Sequence, residues 1–109
     1  METIPDRWKV IKISSAGETF YKVLAGWVGG FAGSDSWRFS SAIQSVSIDE
    51  NKIAFSNESG SRYLCNPRSE GFTVLSRSIF QSFLEDAKKL EDVEIEQINF
   101  CNLPKELYK

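Results

Sequence analysis

The hydrophobic period changes once along this 109-residue chain, and that change decides its fold class. Up to residue 65 the apolar side chains come in short runs, separated by Gly, Asn, Asp and Ser. From residue 79 they fall at Ile79, Phe80, Phe83, Leu84, Ala87 and Leu90, which is the spacing of one helix face. Short runs rich in β-branched and aromatic residues, divided by turn formers, are what an antiparallel sheet needs. One amphipathic helix must bury its stripe against that sheet. The expected fold is therefore α+β: a mainly antiparallel curled sheet or partial barrel of five to seven strands, with one helix packed on it.

The expected strands are 7–14, 19–27, 36–40, 42–48, 52–56 and 61–65, with Gly17 closing the first hairpin. Alternation in 42–48 puts Ala42, Gln44, Val46 and Ile48 on one face and Ile43 on the other. "FTVL" (72–75) reads as a further short strand after the break at Pro67. The helix is expected over 78–90, with Ser78 and Gln81 as its capping box and Ser76 as a competing N-cap. "DVEIEQINF" (92–100) fits either a strand or an extension of that helix, and its β-branched Val93, Ile95 and Ile98 favour the strand.

Hydrophobic residues at 41% and aromatics at 13% allow a core without disulfide or metal support. Residues 1–109 are expected to form a single domain, with frayed ends near 1–6 and 103–109. Cys65 and Cys101 make no CxxC pair and read as free thiols of a reducing compartment. The N-terminus lacks a basic segment followed by an apolar one. The longest apolar run, "VLAGWVGGFAG", falls short of the roughly 20 residues of a membrane helix. A cytoplasmic, soluble protein without membrane contact is expected.

Several chemistries lack their residues. The chain has no histidine, which removes the commonest general base, the usual catalytic triad and most catalytic zinc sites. Gly26, Gly29, Gly30 and Gly33 are spaced GxxGGxxG, neither a dinucleotide fingerprint nor a phosphate loop ending in GK[ST]. No cofactor and no metal are expected. Net charge is −2, and the acidic excess sits in 85–109, so the chain does not attract a polyanion.

"AGWVGGFAGSDSWRFSS" (25–41) is the one unusual stretch, with large rings on a flexible backbone. The rings could all point inward, with glycines marking bends or close backbone approaches. Alternatively 28–36 is an exposed loop, and Trp27, Phe31, Asp35, Trp37 and Arg38 line a partner site together with Arg62 and Tyr63. In a third reading the same rings stack on single-stranded nucleic acid, with Lys22, Arg38 and Arg62 on phosphates. The acidic pI of about 5.2 and the lack of a basic cluster weigh against it. The functional expectation is a small non-catalytic cytosolic binding or regulatory protein whose partner is another protein or a second copy. A small ligand in the mouth of the sheet stays open, and a histidine-free enzyme comes last.

Overall fold

A computed structural model describes residues 2–30 and 33–109. Among these the chain forms β1 (Glu2–Thr3), β2 (Arg7–Ser15), β3 (Glu18–Trp27), β4 (Ser36–Phe39), β5 (Ile43–Asp49), β6 (Lys52–Asn57), β7 (Arg62–Cys65), α1 (Val74–Lys88) and β8 (Val93–Ile98). The fold is α+β. Its strands number eight rather than five to seven, in two four-stranded sheets ordered β1-β7-β6-β5 and β4-β3-β2-β8. All neighbours are antiparallel except β1 and β7.

The curl expected from the sequence takes the form of a corner. β4 and β5 are consecutive, and Ser40–Ala42 carries the chain from one sheet to the other. Ser40 makes that corner. Its N–H donates to Val23 O at 2.9 Å, and its hydroxyl accepts from Val23 N–H at 2.8 Å. Pairing with β3 therefore continues one residue past β4 before the chain departs.

The sheets and helix stack as three layers. Trp8, Val10, Val23 and Ala25 of one sheet meet Ile43, Val46, Ile53, Phe55, Tyr63 and Cys65 of the other. On the opposite face of the first sheet, Ile11 and Leu24 pack with Phe80 of the helix. The β2 strand is buried on both faces, which explains why "WKVIKI" does not alternate cleanly. Lys9 lies within it and is buried, held by Glu70 Oε2 at 3.2 Å and Asn99 Oδ1 at 3.0 Å. The same Glu70 oxygen, on a half-buried side chain, accepts from Phe100 N–H at 2.9 Å, so the carboxylate facing the buried Lys9 is itself held by a second hydrogen bond.

Three local expectations need correction. Ile43 and Val46 both face the core, because the register against β6 shifts between Ile43 and Ser45. The extra residue of that bulge turns Ile43 to the face a regular strand would deny it. Residues 72–75 are not a strand, since the helix already begins at Val74. Its capping box is Thr73 with Ser76, where Ser76 N–H donates to Thr73 Oγ1 at 3.0 Å and Thr73 N–H donates to Ser76 Oγ at 2.9 Å. Serine in place of the usual Glu or Gln hid this box one turn upstream of the expected one.

The stripe packs as its spacing requires: Phe80 and Ala87 are buried, and Ile79, Phe83 and Leu84 half-buried, while Leu90 lies past the helix end and is exposed. Residues 93–98 form a strand, as Val93, Ile95 and Ile98 favour, and it pairs with β2. The terminal segments have partners of their own. β1 pairs with β7, Leu103 is buried, and Lys109 N–H donates to Val46 O at 3.0 Å. No helix among the described residues is long and apolar enough to cross a membrane.

Candidate binding surface around Gly26

Gly26 lies on the helix-facing side of β3, directly under the start of α1. A Cβ placed there would stand 2.7 Å from Thr73 Oγ1, 2.9 Å from Thr73 Cγ2 and 3.3 Å from Ser76 Oγ. The glycine is needed because the helix cap rests on the strand. Gly29 and Gly33 serve a different purpose, with φ of 61° and 75° in the loop that joins β3 to β4. Two carboxylates hold that loop: Asp6 accepts from Val28 N–H at 2.8 Å, and Asp35 accepts from Gly29 N–H at 2.9 Å. Asp35 is exposed and acts as a turn former.

The rings of the stretch divide between two faces. Trp27 is half-buried against the sandwich core, and its Nε1–H donates to Ile4 O at 2.9 Å. Trp37 pairs across the sheet with Gly26, and so faces the helix side. It meets Phe83 edge-on at 6.0 Å and remains 40% exposed. Phe39 lies 5.0 Å from Phe83, with Lys22 Nζ 5.0 Å from the Phe39 ring. Phe31 lies outside the described residues.

Two further apolar side chains stand near Gly26. Val28, two residues along the chain, is 59% exposed, and Val74, next to the capping Thr73, is 88% exposed. Val28, Trp37 and Val74 thus surround one point where β3, β4 and the helix start converge. Sequence reasoning missed Val74 because "FTVL" resembled a strand. A valine in the first helical turn, outside the apolar stripe, is the signal that identifies it.

The remaining candidates lie elsewhere. Arg38 pairs with Ala25 on the sandwich side, with its guanidinium close to Tyr63. Burial pushes the Tyr63 hydroxyl above its ordinary pKa, and the Arg38 charge partly opposes that rise. Arg62 projects from the other face of β7 and bonds Glu2 of β1 and Asp49 of β5, spanning its sheet from edge to edge. The structure therefore brings Trp37 and the glycine loop together but leaves Arg38 with Tyr63, and Arg62, at separate places.

Cys65 is buried, and burial drives its thiol far above the usual range, so it stays protonated. Cys101 is exposed. Among the described residues no group of three His, Cys, Asp or Glu side chains could hold a metal ion. A shallow cavity of about 440 Å³ between α1 and β8 is lined by charges of both signs, including Lys12, Lys88, Glu85 and Glu94. Comparison with family models, with characterised proteins and with solved structures finds no match to this chain.

Proposed function

We propose that this chain is a small non-catalytic binding or regulatory module that engages another protein through the surface around Gly26. One observation carries the reading: Trp37 stays exposed beside Phe83, which also meets Phe39, and Val28 and Val74 are exposed close by, where β3 and the helix start meet at Gly26. Large apolar side chains exposed close to one another mark interaction sites. Tryptophan supplies large contact area and is enriched among the residues that dominate binding. The capped helix start and the bonds of Asp6 to Val28 and of Asp35 to Gly29 brace this surface at those points, which lowers the ordering cost of association. The two free thiols suit a reducing compartment, and the module is assigned to the cytosol on that ground.

The arrangement of cations favours a protein partner over a nucleic acid. Of the three expected phosphate contacts only Lys22 lies beside the exposed rings. Arg38 faces the opposite side of β4, and Arg62 is committed to Glu2 and Asp49.

Amide NMR spectra of labelled protein, titrated with the macromolecular fraction of a host extract, test the proposal. Signals of Val28, Trp37 and Val74 should broaden, and Trp37→Ala should abolish the effect while leaving the fold intact. Broadening that disappears on nuclease treatment would instead assign a nucleic acid. Spectra unmoved at those residues would remove the surface from consideration.

A further inference from the structure

β3 spans ten residues, but β4 covers only its last four, Leu24 to Trp27. Ser40 extends the cover to Val23, where the chain leaves for the other sheet. Val23 directs both its N–H and its C=O toward this side. By the alternation of an antiparallel strand, Thr19 and Tyr21 direct theirs the same way. Among the described residues no strand pairs with them there. The other edges are handled differently. The edge of β5 is covered by Tyr108 and Lys109, that of β8 presents Glu94 and Glu96, and the edge strands β4 and β1 are only four and two residues long. The free half of β3 instead presents Phe20, 38% exposed.

The geometry points to a twofold-symmetric homodimer in which this free half of β3 pairs antiparallel with the same segment of a second copy. The segment, Glu18-Thr-Phe-Tyr-Lys22, is complementary to itself. In a register centred on Phe20, Phe20 opposes the partner's Phe20, and Glu18 opposes the partner's Lys22. Thr19 and Tyr21 oppose each other. Those two residues own the outward main-chain groups, so the register that matches the charges also matches the hydrogen bonds. Phe20 then falls at a non-hydrogen-bonded pair, where facing side chains approach most closely. An unfilled groove of about 290 Å³ lies beside this edge, between Thr19–Tyr21 and residues that include Ala42, Ile43, Pro104 and Leu107. In the dimer the partner's Tyr21 projects toward it. The two four-stranded sheets join as one sheet of eight, and an interface of this kind is isologous, closing on itself without further growth.

Charge reversal tests the register directly by sedimentation equilibrium, with circular dichroism to confirm folding. The wild type should dimerise reversibly with concentration. Glu18→Lys or Lys22→Glu alone places like charges opposite one another at both ends, and should weaken association by about tenfold or more. The double variant E18K/K22E should recover it, and an equimolar mixture of the two single variants should form the mixed dimer. Amide exchange at Thr19 and Tyr21 should slow as concentration rises. A wild type that stays monomeric at millimolar concentration overturns the proposal. So does a dimer that Phe20→Arg and both charge reversals leave unchanged. Glu18→Lys and Phe20→Arg do not touch Val28, Trp37, Val74, Phe39 or Phe83, so their outcome is independent of the surface around Gly26; Lys22→Glu also removes the cation over Phe39 and is read only together with them.

Discussion

Gly26 answers a steric demand rather than a conformational one. Its backbone is ordinary strand, and the space above it belongs to Thr73 and Ser76, both buried. Gly26→Ala should destabilise the domain by about 1–3 kcal/mol, as overpacking does in a close-packed interior. Thr73→Ser in the same chain removes the Cγ2 contact, keeps a capping hydroxyl, and should recover part of the loss. Urea midpoints of the wild type and the two variants check this, and an unchanged Gly26→Ala would mean that the helix does not rest there. The cysteines make a second pair of contrasting residues. Native protein should be alkylated rapidly at Cys101 and at Cys65 only after unfolding, which a mass-spectrometric time course resolves. Burial raises the folded pKa of both Cys65 and Tyr63. Their contribution to stability is therefore complete below the unfolded values, about 8.5 for a thiol and 10 for a phenol, and is lost as pH rises toward the folded ones. Urea midpoints should fall from pH 8 to pH 10, and Cys65→Ala should flatten the first part of that fall.

At the scale of elements, what the sequence revealed was whatever depends on neighbours two to four residues away. The alternation of 52–56 and the stripe from Ile79 to Ala87 are local patterns, and both pack as their spacing requires. The helix start and the β5 bulge are not local in the same way. Phe72, Thr73 and Val74 have strand-like side chains, and only the serine at Ser76 and the seat on Gly26 make Thr73 a cap. Ile43 turns inward because the sandwich needs it there, which no alternation rule can anticipate. The helix also separates core from surface in a measurable way. Phe80→Ala should cost about 3–5 kcal/mol, as for a buried aromatic. Trp37→Ala, losing one edge contact and a partly exposed ring, should cost well under half as much. Equal losses in thermal or urea unfolding would make Trp37 a core residue and not a contact residue.

For the whole molecule, the candidate site was legible as a segment but not as a surface. Trp37 and Arg38 are adjacent in sequence, and a strand sends neighbours to opposite faces, so one joins the ridge over Phe83 and the other joins Tyr63. Arg62 and Tyr63 part in the same manner. Val74 enters the surface only because three distant elements meet at Gly26. The same topology sets an order of events. Most strand pairs join sequence neighbours, β2 with β3 and β5 with β6 among them, but β8 returns to β2 and brings Val10 opposite Ile98. Long-range pairings of this kind slow folding, because loop-closure entropy must be overcome before their contacts form. On a ribosome, β2 would emerge early and wait for almost the whole chain to follow before its second edge is paired. During that interval the nascent hairpin shows a bare strand edge and an uncovered apolar face, the surface of it most open to wrong pairing.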